Sequence, residues 1–217
     1  MVTAAEHDQE ARDRDRFTRR LEAFSDIVFG FALAQCAFAL DVPKSLDQLG
    51  TEWHGLPYFA VTFVLIAMFW FIHYRMFHYA FAARRLDVVL NFGLLATVAL
   101  LPYALRLYIT FNDSVPGSLA YAATLGSAFT LIAVLEWRGL REPPRPMTPK
   151  VEQMIRRAAW RHGVAGIVFL LSIPVIAYFG LYARVVWALI GIAIALGRVI
   201  ERRRPLAVGT PAPAPES

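Results

Sequence analysis

Long apolar runs, separated by short polar and basic clusters, recur from one end of this chain to the other. Six of them approach the ~20 residues needed to cross a hydrocarbon layer of roughly 30 Å. They predict helices over Thr18–Leu40, Leu56–Phe77, Leu86–Tyr108, Ser118–Trp137, Gly163–Phe179 and Tyr182–Ile200. A closed β-barrel is the other way to satisfy backbone polar groups in lipid. Barrel strands alternate in polarity over ~10 residues, whereas these runs are longer and uniformly apolar. The pattern predicts an all-α integral membrane protein with six transmembrane helices.

Composition agrees, because 57% of the 217 residues are hydrophobic, more than one soluble core of this size buries. Charge adds the orientation. Nineteen of the 22 Lys and Arg residues lie at one end of a six-helix arrangement; only Lys44, Arg106 and Arg184 lie at the other. Basic residues near helix ends are retained on the cytoplasmic side, so a multi-pass protein of the cell membrane with both termini cytoplasmic is expected. The net charge of +5 is then a consequence of topology, and no nucleic-acid partner is expected. The first run is too long for a cleaved signal and carries Asp26. Leu33-Ala34-Gln35-Cys36 is not a lipobox, since Gln35 is not small. Cys36 is the single cysteine, so no intrachain disulfide forms.

Three segments follow: a loosely ordered cytoplasmic stretch over 1–16, a six-helix membrane domain over 17–204, and a disordered Pro- and Ala-rich cytoplasmic tail over 205–217. Between helices 4 and 5, Glu142-Pro143-Pro144-Arg145-Pro146 is not helical throughout. Thr148 and Pro149 suit a helix cap and first turn. Val151, Met154, Ile155, Ala158 and Ala159 then recur at helical spacing, which predicts an interfacial helix running into helix 5. Trp160 and Arg161 mark the headgroup level.

No metal-ligand spacing, phosphate loop or nucleophile elbow is present, so neither an enzyme nor a cofactor is expected. The informative groups are polar residues inside the apolar runs: Ser25, Asp26 and Gln35 in helix 1, His73 in helix 2, Asp87 and Asn91 in helix 3. A charge at the centre of a membrane helix costs about 2.5 to 3.5 kcal/mol to insert, and less near an end, so Asp26 should face protein or water. Asp26, His73, Asp87 and Asn91 share one layer near the basic end. The expected network has Asp26 accepting hydrogen bonds from His73 or Asn91, with Arg20 nearby. It reads first as a clamp on helices 1 to 3, and second as a route for ions or a proton sensor at His73. Ile27, Phe31, Ala34 and Phe38 recur at i, i+4, i+7 and i+11 and share one face of helix 1. That face suits helix packing, with small Ala34 allowing close approach, or the lining of a pore.

Arg20-x-x-x-Phe24-Ser25-Asp26, Phe69-Trp70-x-x-His73-x-Arg75-x-Phe77, and Leu86-Asp87-x-x-x-Asn91 with Pro102 resemble the prokaryotic members of the transmembrane protein 175 potassium-channel family. The resemblance implies a homotetramer of six-helix subunits, a tetrameric cation channel of unusual architecture in the lipid bilayer. K⁺ would permeate a central pore lined by helix 1, with a hydrophobic constriction and no carbonyl selectivity filter. The implied constriction is Phe31, where the family usually has isoleucine or leucine. Ala34 stands where threonine is common. Ile27 and Phe38 complete the lining, Asp41 lies at the outer mouth, and Trp70 packs near Phe24 within the signature group of Arg20, Phe24, Ser25, Asp26, His73 and Asn91. A weakly selective cation or proton pathway, or a non-conducting membrane scaffold, are the other expectations.

Overall fold

The computed structural model describes residues 4–38, 40, 45, 55–111 and 115–179. Five helices occupy them: α1 (Ala4–Phe38), α2 (Gly55–Tyr79), α3 (Arg85–Thr110), α4 (Val115–Arg141) and α5 (Pro149–Phe179). All five contain a stretch long and apolar enough to cross a membrane, and the chain is an all-α, multi-pass membrane protein. The sixth expected helix, Asp41, Lys44, Arg184 and the 205–217 tail lie outside the described residues.

One expectation is corrected at the start of the chain. Residues 4–16 are not a loose segment; they are the first turns of α1, which is 35 residues long. The reason is local. This stretch is rich in Ala, Arg and Glu, good helix formers, and no Gly or Pro separates it from the apolar run. Gln9 donates to Asp13 one turn on at 3.4 Å, and the Thr18 hydroxyl donates to the Arg14 carbonyl at 2.9 Å.

The predicted interfacial helix and the fifth span are one continuous α5 of 31 residues. Thr148 caps it: its carbonyl accepts from the Glu152 N–H at 3.0 Å and its hydroxyl from the Val151 N–H at 3.4 Å. Pro149 occupies the first turn, where its missing N–H costs nothing. Pro102 and Pro174 lie inside α3 and α5 without ending them. The α2–α3 connection is short. The Met76 carbonyl accepts from both Ala80 and Phe81, at 2.8 and 3.0 Å, and Ala83 adopts a left-handed backbone at φ 52°. Arg84, extended, then starts α3.

The bundle divides into two parts. Helix α1 packs on α2 and α3, while α4 packs along both α3 and α5. Phe29, Ile66, Phe69, Leu94, Leu101 and Ile132 are fully buried and join the two parts in one core. Small residues set the α4–α5 approach. A Cβ on Gly166 would come within 2.4 Å of the Thr130 hydroxyl and 2.9 Å of its backbone nitrogen, so no larger residue fits without parting the helices. Gly139 is as constrained, since a Cβ there would lie 2.3 Å from the Ala80 carbonyl oxygen.

Candidate functional site

The two faces of α1 are chemically opposite. Leu21, Ser25, Phe29, Ala32 and Cys36 are buried against the bundle, in the i, i+4, i+8 spacing of one face. On the other side, Ile27, Phe31 and Phe38 are 58%, 68% and 86% exposed. Ala34, between them, is partly exposed, and a Cβ on Gly30 would meet nothing within 4 Å. Gln35 is also exposed, one residue off this face. A membrane helix with a wide apolar face turned away from its own bundle needs lipid or another subunit against it.

Behind that face runs a chain of hydrogen bonds through buried groups. His73 of α2 lies 2.9 Å, Nε2 to Oδ1, from Asn91 of α3. Asn91 donates through Nδ2 to the Ser25 Oγ at 3.3 Å, and Ser25 donates to the Leu21 carbonyl at 2.8 Å. With the Asn91 amide pointing its N–H at Ser25, its oxygen faces His73, so His73 donates from Nε2. The chain therefore has one direction, from α2 through α3 to α1. Its three side chains are all almost fully buried. Phe29 and Phe77 lie on the His73 ring, at centroid distances of 5.2 and 4.4 Å.

Asp26 is placed differently from expectation. It is exposed, and its Oδ1 accepts from the Trp70 Nε1 at 2.9 Å; neither His73 nor Asn91 reaches it. The reason is helical phase: Ser25 points inward, so Asp26, one residue and about 100° further round, lies at the edge of α1 beside α2. Arg20 is exposed and sits six residues before Asp26, on a different side of the helix, and forms no ion pair with it among the described residues. Phe24 meets Phe92 of α3 edge to face at 5.7 Å. Trp70 is therefore tied to α1 through Asp26 rather than through the Phe24 ring.

Asp87, grouped with this layer by sequence, belongs to another contact. It is buried and pairs with the Arg138 guanidinium of α4. The sequence reading missed a second buried pair altogether: Glu136 of α4 and His162 of α5, with Oε2 and Nδ1 2.8 Å apart. A carboxylate inside the apolar run of helix 4 was the available signal, but adjacent Trp137 and Arg138 make it look like a solvated helix end. Among the described residues no group of three or more His, Cys, Asp and Glu is arranged to hold a metal ion.

The comparisons with known proteins converge on one family. The family model described as endosomal/lysosomal potassium channel TMEM175 matches residues 20–102, from Arg20 in α1 to Pro102 in α3. A potassium channel of Streptomyces collinus is 26% identical over 148 residues, covering 64% of this chain and 72% of that protein. The human endosomal/lysosomal proton channel TMEM175 is 22% identical over 172 residues, covering 74% of this chain and 33% of that much longer protein. The crystal structure of a variant of the potassium channel MtTMEM175, in complex with a nanobody–MBP fusion protein, superposes with a TM-score of 0.67 at 19% identity. It covers 85% of this chain and 94% of that one, a likeness of fold.

Proposed function

We propose that this chain, which the TMEM175 family model matches over residues 20–102, is the subunit of a potassium channel of that family, four copies of which surround a central pore lined by α1. The observation that carries this reading is the open apolar face of α1, Ile27–Phe31–Ala34–Phe38, opposite the side that buries Ser25. Four such faces turned to a common axis would stack Phe31 rings into a constriction that excludes water when narrow. Phe38, seven residues on and about 10 Å along the helix, forms a second ring nearer the outer mouth, where Asp41 attracts cations. The chain from His73 through Asn91 to Ser25 fixes the rotation of α1, so that Phe31 faces the axis. Asp26, held by Trp70 at the edge of the face, puts a carboxylate at the inner side of the constriction. The basic helix ends lie in the cytoplasm, with both termini.

Potassium flux from liposomes tests the reading, with wild type beside Phe31→Ala. Shortening Phe31 opens the ring and raises flux; a tenfold rise corresponds to about 1.4 kcal/mol of barrier. If neither protein passes K⁺, the chain is a scaffold whose polar chain only clamps helices.

A weakly selective cation or proton pathway is favoured by one feature: between Phe31 and Phe38 the proposed lining offers no side-chain oxygen beyond Gln35 at its margin. Ala34 cannot replace water around a dehydrating ion. Reversal potentials in mixed K⁺, Na⁺ and H⁺ gradients separate the two readings, since equal K⁺ and Na⁺ permeability excludes a selective potassium channel.

A further inference from the structure

Most arginines around the α4–α5 connection are answered by acids. Arg84 pairs with Glu142, Arg138 with Asp87, Arg145 with Asp15 and Arg156 with Glu152. Arg157 and Arg161 are exposed, and no carboxylate pairs with either among the described residues; Arg141 and Lys150 are exposed and without an ion pair too, but only Arg157 and Arg161 flank an exposed indole. They lie one turn apart and bracket Trp160, which is 62% exposed.

Below them runs an exposed apolar track of Val164, Ile167, Leu171 and Tyr178. At 100° per residue this track, Trp160 and both arginines fall within one arc of roughly 120°, on the side away from Ala158, Ala159, His162 and Gly166, which are buried. Trp160 and Tyr178 are 18 positions apart, or about 27 Å of helix, close to the ~30 Å hydrocarbon thickness. Aromatic residues at both ends of such a track mark the two interfaces. Arg157 and Arg161 therefore sit in the headgroup layer of the leaflet at the basic end. The indole between them is steadied by Trp137 of α4, edge to face at 6.2 Å.

We propose that Arg157, Trp160 and Arg161 form a binding site for an anionic phospholipid of that leaflet, with the headgroup phosphate between the guanidinium groups and an acyl chain along Val164, Ile167 and Leu171. Guanidinium forks match phosphate oxygens in bidentate geometry. A net negative headgroup satisfies two cations that no carboxylate pairs with among the described residues, whereas a zwitterionic lipid brings its own ammonium. The binding is independent of whether the protein conducts.

Native mass spectrometry of the intact protein, incubated with equal phosphatidylglycerol and phosphatidylcholine, reads the occupancy directly. Wild type retains phosphatidylglycerol in preference. Removing each arginine lowers its retention about fivefold, and the Arg157→Gln/Arg161→Gln double variant about thirtyfold. The charge-matched Arg12→Gln/Arg14→Gln variant, on the aqueous extension of α1, leaves retention within twofold. Equal retention of both lipids, or an equal loss in the α1 variant, overturns the site in favour of diffuse attraction. Displacement by millimolar inorganic phosphate overturns it in favour of a free anion. Folding is checked by the assembled species in the same spectrum, and single Arg157→Gln serves if the double variant does not assemble.

Discussion

The junction of α1, α2 and α3 and the α4–α5 hairpin both bury polar groups in an apolar bundle, and they do it in different ways. Where α1 to α3 meet, three buried side chains pass hydrogen bonds in one direction from His73 to Asn91 to Ser25, and the helix they fix leaves its other face open. In the hairpin, helices approach until Gly166 has no room for a methyl group beside Thr130, and the buried pair of Glu136 with His162 spans the interface. An apolar bundle in lipid gains little from burying more apolar surface, so packing and hydrogen bonds must hold the helices. The hairpin uses close packing at glycine. The first three helices use directional bonds, which set rotation as well as proximity. That difference separates a part that orients a face from a part that supports it, and the match to the TMEM175 family model ends at Pro102, before the hairpin begins.

The largest effect is expected in the hairpin. Glu136→Ala leaves His162 buried without its partner and lowers stability by about 3 kcal/mol, the low end for breaking a buried pair. Thermal unfolding followed by size-exclusion fluorescence measures it. The Glu136→Leu/His162→Leu double variant recovers most of the loss, because two apolar side chains leave no polar group unsatisfied. If the single variant changes ion selectivity without lowering the melting temperature, the supporting role assigned to the hairpin is wrong.

Asn91→Leu comes next. It strips partners from both His73 and Ser25, at a cost of about 2 kcal/mol, since each buried polar group left unsatisfied costs roughly 1 to 3 kcal/mol. Here flux and stability should change together, because α1 loses the bond that sets its rotation. Unchanged flux in a destabilised Asn91→Leu protein would separate helix rotation from conduction.

Gly166→Ala places a methyl group against Thr130 and destabilises by about 1 to 2 kcal/mol through overpacking; Gly163→Ala is the control, since a Cβ there meets only the Ala133 methyl at 3.7 Å. Equal melting temperatures for the two variants would show that the hairpin is looser than its glycine contacts indicate. The smallest effect is expected for Trp70→Phe. It removes one hydrogen bond to an exposed carboxylate, worth under about 1 kcal/mol in stability, while freeing Asp26 at the edge of the open face. Its readout is the cation dependence of flux.

The period of the apolar runs specified five helices within a few residues at most ends, because each membrane-spanning stretch must satisfy its own backbone bonds and is legible without its neighbours. The Thr148 and Pro149 start of α5 was readable for the same reason, since capping is local. The extent of α1 was misread because a charged, polar stretch looks like a loose segment when hydropathy is the only guide. At the site, sequence picked out Asp26, His73, Asp87 and Asn91 as polar groups at a common depth, with Ser25 beside Asp26 in helix 1, and depth depends only on position along each helix. Which of them touch depends on how three helices are rotated about their own axes, and a few tens of degrees decided it: Ser25 joined the buried chain and Asp26 turned aside to Trp70. The Glu136–His162 pair was invisible for a related reason, since its members are 26 positions apart and meet only when α4 and α5 close at their glycines. The sequence by itself determined five apolar helices and the residues available at each level along them. Only the tertiary structure decided the partners, because a side-chain hydrogen bond needs its two groups within about 3 Å, and that distance is set by helix rotation and separation rather than by anything written along one helix.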